Sequence, residues 1–186
     1  FAPSPTGRLH VGNLRTALVA WLFARAAASR FLLRIDDLDP ADARAEHEAD
    51  QLAALRALGL DWDPPVLRQS ERRTAHAAAV ERLAALGRTY PCYCTRREIR
   101  EAAAAPHGPT AGPDHAYPGT CRDLTPAQRA ERQAAGRPPA LRLRAGGEVL
   151  TVPDRIHGEV TLAVDDFVVR RNDGIVAYNV AAVVDD

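Results

Sequence analysis

"FAPSPTGRLHVGNLRTAL", residues 1–18, joins a Pro/Gly-rich turn to the start of a strongly apolar helical pattern, and the fold follows from that junction. Phe1 to Ser4 reads as the end of a strand, and Pro5-Thr6-Gly7 as the turn behind it. From His10 to Ala28, Val11, Leu14, Leu18, Trp21 and Leu22 recur near helical spacing, with Val19 and Phe23 widening the apolar face, which predicts a well-buried helix. A helix N-terminus offers unpaired N–H groups and roughly half a positive charge, so it is a natural phosphate seat. Gly12 leaves the first turn bare for a flat base or sugar, and His10 and Asn13, one turn apart, can both donate hydrogen bonds to oxygens above it. The stretch therefore suits a nucleotide cradle without a P-loop. It equally suits a plain strand-to-helix turn with a surface histidine.

Outward from this junction, "FLLRI" (31–35) suits a buried strand of a parallel sheet. "DLDPADARAE" predicts a helix start with Asp39 as N-cap and Pro40 at the first helical position, running through Leu52, Leu55 and Leu58 and stopping at Gly59. A further helix runs from Ser70 to just before Gly87. This alternation is the rhythm of an open α/β sheet. It breaks at residue 90. Residues 106–119 are dense in Pro, Gly and His, "TPAQRAERQAAG" predicts a short helix, and "PALRLRAGGEVLTV" predicts a hairpin around Gly146-Gly147. "DDFVVRRNDGIVAYNV" restores strand, turn and helix. Residues 1–89 are thus expected to form the first half of an α/β domain, 90–165 an insertion, and 166–186 the return to that domain.

The chain has 186 residues, 46% of them apolar, enough for one domain carrying a sizeable insertion. Its 24 basic and 24 acidic residues balance, so a polyanion must be met by a local patch; every basic residue is arginine. The sequence has no run of about 18 apolar residues and no charged leader followed by an apolar stretch, so it supports neither a membrane span nor a signal peptide, and the expected compartment is the cytoplasm. The start on Phe1, the absence of Met and the abrupt end after "AYNVAAVVDD" lead us to expect a piece of a longer protein. Three cysteines do not suit a secreted disulfide framework. Cys92, Cys94 and Cys121 instead offer three thiolates to a structural zinc, with His107, His115, Tyr117 and Asp123 as candidates for the fourth position. General ligand preference favours a histidine there.

"FAPSPTGRLHVGN" resembles the signature of the class I glutamyl-tRNA synthetases, and "LLRIDDLDP", "GLDWD", "QSER", "YPCYCTRREI", "YPGTCRDL" and "DDFVVRRNDGIVAYNVAAVVDD" follow in that family's order over essentially the whole chain. The resemblance implies a Rossmann-like α/β catalytic domain with a zinc-containing α+β insertion. "IDDLDP" and "VAYNVAAVVDD" look closer to the family's short paralogue, which lacks an anticodon-binding domain, than to the tRNA-charging enzyme. That paralogue activates glutamate with ATP and transfers it to the queuosine base in the anticodon of tRNA(Asp).

The resemblance puts His10, Gly12 and Asn13 at ATP, taken with Mg2+, and Phe1, Ala2, Pro3 and Ser4 in the glutamate pocket. It puts Asp36, where the family has a glutamate, at the substrate ammonium, and Tyr178 against the substrate. It favours Tyr117 as the fourth zinc ligand beside Cys92, Cys94 and Cys121; where some charging enzymes place a histidine, this chain has Asp123. The family's arginine ahead of the Phe1 position and its lysine-bearing pyrophosphate loop are not in this sequence, so the 186 residues alone are expected to be inactive or nearly so. Arg96, Arg97, Arg100, Arg170 and Arg171 are candidates for tRNA contact, and a monomer is expected. The alternatives are a shortened glutamyl-tRNA synthetase charging tRNA(Glu), and a non-catalytic zinc and RNA-binding module.

Overall fold

Phe1 to Pro3 lie extended beside strand β1 (Leu32–Ile35): the Phe1 amine donates to Leu32 O at 2.8 Å, Arg34 N–H to Phe1 O at 3.0 Å and Asp36 N–H to Pro3 O at 2.9 Å. The computed structural model describes residues 1–103 and 117–186, which form two compact units, Phe1–Ala75 with Asp185 and His76–Val184 with Asp186. In the first unit, β2 (Asp63–Arg68) pairs parallel with the other side of β1. This strand is unforeseen, because Pro64 and Pro65 cannot donate to a ladder. They sit where the register slips between the pairs Leu32↔Asp63 and Arg34↔Leu67.

Helices α1 (Val11–Ala26) and α2 (Ala45–Ala57) complete the first unit. Ala17, Leu33, Ile35, Leu55 and Leu60 form its buried core, flanked by Phe1, Leu14, Trp21 and Trp62. Two expectations are corrected. Leu14, Ala17 and Trp21 carry the packed face of α1, while Val11 is 83% and Phe23 68% exposed, so the helix is not buried all round. An apolar face wider than the contact leaves its remainder outside. Helix α2 does not start at Asp39-Pro40 either: Asp39 accepts the Ala41 N–H on its side chain at 3.2 Å and the Ala43 N–H on its carbonyl at 3.0 Å, closing a separate turn. Asp and Pro favour turns as readily as helix starts. The stop is as expected: Gly59 takes φ +73°, Gly59 N–H donates to Arg56 O and Leu60 N–H to Leu55 O, a Schellman ending.

Helix α3 (Arg73–Ala85), most of which belongs to the second unit, ends the same way at Gly87. Strands β3 (Thr89–Cys92), β4 (Ala140–Leu143) and β7 (Val168–Arg170) form an antiparallel sheet in the order β3-β4-β7. The expected boundaries after residues 89 and 165 both fall inside this unit. Val80, Val169 and Val180 form its core with Leu83, Leu141 and Phe167. Helices α4 (Arg96–Ala103), α5 (Pro126–Ala134) and α6 (Tyr178–Asp185) complete the element list, and α5 stands where expected, behind a Thr125/Gln128 capping box. The hairpin around Gly146-Gly147 is overturned. Both edges of β4 are already taken by β3 and β7, so β5 (Val149–Asp154) pairs instead with β6 (Gly158–Ala163). Alternation encodes a face, not a partner.

Buried Asp166 binds the sheet together. Its carboxylate accepts from Tyr90 Oη and Arg122 Nε, each at 2.6 Å, and from Ala145 N–H at 2.9 Å; its carbonyl accepts from Arg142 Nη1 at 2.7 Å. Burial works to raise its pKa, but the Tyr90 hydroxyl, the Ala145 N–H and the Arg122 guanidinium outweigh it and hold the carboxyl below the usual aspartate value. A depressed pKa stabilises the fold above the ordinary aspartate range, and that contribution is lost as pH falls through the lower folded value. Asp166→Ala is expected to cost about 3 kcal/mol, the lower end for a broken buried pair because Arg122 reaches solvent. In urea titrations the variant's deficit should be full at neutral pH and shrink in acid.

Candidate nucleotide seat and cysteine cluster

The N-terminus of α1 is capped by His10 itself. Its Nδ1 accepts the Gly12 N–H at 3.0 Å, Asn13 Oδ1 accepts the His10 N–H at 3.1 Å, and both sit in an exposed first turn. Because Nδ1 accepts, the neutral ring carries its proton on Nε2, which leaves that edge as a donor. Asn13 keeps its amide NH2 for the same purpose. The need for Gly12 is also tighter than an open surface requires: a Cβ there would stand 2.8 Å from His10 Cε1 and 3.0 Å from Nδ1, inside contact distance.

The turn before the helix is held from α2. Gln51, 2% exposed, donates from Nε2 to Ser4 O at 2.9 Å and to Gly7 O at 2.7 Å, and Arg44 N–H donates to Pro5 O at 3.0 Å. Sequence reasoning passed over Gln51; the available signal was a lone amide four residues before Leu55 on the buried stripe of α2. Gln51→Leu leaves both carbonyls without that donor and is expected to cost on the order of 1–3 kcal/mol. Hydrogen exchange of residues 4–10 should quicken beyond the global change.

The acidic run is sorted by its partners. Asp36 is buried with a carboxylate oxygen 2.7 Å from Arg34 Nε. Asp37 accepts from Ser70 N–H at 2.8 Å and Ser70 Oγ at 2.5 Å, capping the short helical turn Gln69–Arg72 of the "QSER" stretch. Phe1 and Ala2 are half-buried, Pro3 is buried and Ser4 is exposed. Tyr178, in the second unit, opens α6 and is 55% exposed.

The second unit gathers the cysteines. Cys92 ends β3 on the same buried face as Tyr90, and Cys94 lies two residues on, in the short turn between β3 and α4. That turn is braced by Thr95 and Glu98, whose carboxyl is held at about 2 mainly by the Thr95 N–H, and by Arg137, which donates to Tyr93 O at 2.8 Å. The three sulfurs lie within 4.8 Å of one another, Cys94 to Cys121 at 3.5 Å. Tyr117 Oη stands 3.3 Å from Cys92 Sγ and 3.6 Å from Cys94 Sγ and accepts the Cys121 N–H at 2.9 Å. Burial, chiefly, pushes the Cys94 thiol up to about 12. Cys121 is pulled below the usual thiol value, because the Tyr93 N–H and the Tyr117 hydroxyl outweigh its burial.

Of the four candidates for the remaining position, Tyr117 has its oxygen at the sulfurs, and Asp123 is turned to Arg144 at 3.0 Å. His107 and His115 lie outside the described residues. The tRNA candidates Arg96, Arg97 and Arg100 are exposed on α4, Arg97 paired with Glu101 at 3.6 Å, and Arg170 and Arg171 pair with Glu81 and Asp173. No helix among the described residues is long and apolar enough to cross a membrane.

Residues 1–186 match the family described as tRNA synthetases class I (E and Q), catalytic domain. The chain belongs to this family. As a class I synthetase catalytic domain it is 61% identical over 186 residues to the glutamyl-Q tRNA(Asp) synthetase of Nocardia farcinica, covering all of this chain and 58% of that protein. It is 42% identical over 197 residues to the glutamate–tRNA ligase of Symbiobacterium thermophilum, of which it covers 40%. Among solved structures it resembles a glutamate tRNA ligase from Elizabethkingia meningosepticum in complex with its amino acid, with a TM-score of 0.76, 28% identity, and coverage of 100% of this synthetase chain and 40% of that one. The chain thus spans little more than half the length of the first of these relatives.

Proposed function

We propose that this chain is the ATP- and glutamate-binding part of a glutamyl-Q tRNA(Asp) synthetase. The observation that carries the activation step is the α1 terminus, where His10 gives Nδ1 to the helix and keeps Nε2–H for a ligand. In that step a glutamate carboxylate oxygen attacks the α-phosphorus of ATP, the bond to the bridging oxygen breaks, and pyrophosphate leaves with the electron pair. Negative charge grows on phosphate oxygens, and the N–H groups of the first turn, the Nε2–H of His10 and the amide of Asn13 are fixed donors for it. Mg2+ accompanies the nucleotide. Gln51 keeps the Ser4–Gly7 carbonyls, and so the strand end beside the substrate, in register with the helix. The glutamate contacts, with Phe1, Ala2, Pro3, Ser4, Asp36 and Tyr178, come from the family resemblance. Asp36 would meet the ammonium with a carboxylate that Arg34 also holds.

The donor set of the cluster fits zinc. Tetrahedral zinc with bonds of about 2.3 Å to sulfur would space its sulfurs about 3.8 Å apart, a spacing that Cys92, Cys94 and Cys121 approach, and Tyr117 Oη, 3.3 Å from Cys92 Sγ and 3.6 Å from Cys94 Sγ, would offer the fourth donor. Such a metal supplies folding energy to the region around residues 90–165 and has no open position for chemistry.

The choice of acceptor rests on the greater likeness to glutamyl-Q synthetases than to glutamate–tRNA ligases. A protein carrying this chain at its relatives' full length, given glutamate, ATP and separately purified tRNAs, should label tRNA(Asp) bearing queuosine and leave tRNA(Glu) uncharged. Labelling of tRNA(Glu) alone would make it the tRNA-charging enzyme instead.

A further inference from the structure

Segment 117–122 carries two of the four candidate metal ligands, yet it lies in no strand or helix. Its backbone is therefore placed by what accepts its donors. At one end Asp165 Oδ1 accepts the Tyr117 N–H at 3.0 Å. At the other, Asp166 Oδ2 accepts Arg122 Nε at 2.6 Å, next in sequence to Cys121. These consecutive aspartates precede β7, and Asp166 is in turn bonded to Tyr90 of β3, Arg142 of β4 and Ala145 beyond it, so the sheet fixes the Asp166 carboxylate and Asp165 is its neighbour on the same chain. Arg142, tied to the Asp166 carbonyl, lies with its guanidinium carbon 3.8 Å over the Tyr117 ring and packs that ring in place.

We propose that Asp165 and Asp166 are positioning residues for a metal held by Cys92, Cys94, Tyr117 and Cys121, gripping segment 117–122 at both ends so that the Tyr117 oxygen and Cys121 sulfur stand ready beside the β3 sulfurs. This rests on the metal reading above. The aspartates touch no metal; they act through the Tyr117 backbone and the Arg122 side chain. Partners at this remove from a metal commonly govern affinity by 10–100-fold.

The test loads the chain with Co2+ and follows its visible ligand-field bands and sulfur-to-cobalt charge transfer during competition with a chelator. Asp165→Ala is expected to weaken Co2+ binding about 10–100-fold and to shift the ligand-field bands, while Asp165→Asn, which retains an oxygen acceptor for the Tyr117 N–H, restores both. Should Asp165→Ala fail to fold, Arg122→Gln cuts the other grip at a side chain 38% exposed and is expected to weaken binding in the same way. Unchanged affinity and bands in a folded Asp165→Ala or Arg122→Gln protein would overturn the clamp and leave the metal site standing. A parent chain that takes up no Co2+ would overturn both.

Discussion

His10→Ala, in a protein carrying this chain at its relatives' full length, is expected to lower the rate of glutamate activation by about 10²–10³-fold, the usual cost of deleting one fixed donor at a developing anion. Two consequences of the capping geometry make the expectation specific. The substitution also removes the acceptor for the Gly12 N–H, so the helix should lose about 1 kcal/mol. Gly12→Ala should impair activation without deleting any donor, since its methyl displaces the His10 ring, whose Cε1 stands 2.8 Å from the Cβ position, and with it the Nε2–H. His10→Asn separates the two effects: asparagine is a good N-cap and should restore the helix but not the rate. Steady-state kinetics beside thermal unfolding reads both, and an unimpaired rate in His10→Ala would remove His10 from the chemistry.

The largest effect on stability is expected from the cysteine cluster. Structural zinc contributes roughly 10–16 kcal/mol in small domains that fold around it. Chelation, or Cys121→Ser, should therefore loosen the second unit from Cys92 to Cys121 and leave the first unit, with its own core of Leu33, Ile35 and Leu55, protected. Hydrogen exchange with and without chelator, together with metal analysis of the purified protein, reads this directly. Uptake should release protons, because thiols bind metal as thiolates and burial holds Cys94 protonated at neutral pH in the bare cluster. Protein with far less than one zinc per chain and unaltered exchange on chelation would contradict it.

What could be read in advance was local chemistry. The His10 start of α1, the glycine stops at Gly59 and Gly87 and the short helix α5 in "TPAQRAERQAAG" each depend on residues within a few positions of one another. The meeting of Cys92, Cys94, Tyr117 and Cys121 came through the family pattern, since residue types alone left four candidates for the last position. What escaped depends on partners far along the chain. β2 exists because β1 offers it an edge, and the slip in register absorbs the prolines that hid it. β5 pairs with β6 because β4 is occupied. Gln51 and Asp166 look like ordinary polar residues until the fold puts carbonyls around one and a tyrosine, an arginine and a backbone N–H around the other.

The claim on which the rest depends is that the His10-capped end of α1 serves glutamate activation by ATP. Exchange of labelled pyrophosphate into ATP, with glutamate present and tRNA absent, tests it in a protein of the relatives' full length. The account predicts exchange that requires glutamate, proceeds without tRNA and falls by two to three orders of magnitude in His10→Ala. Absence of exchange, or exchange that His10→Ala leaves intact, would contradict it.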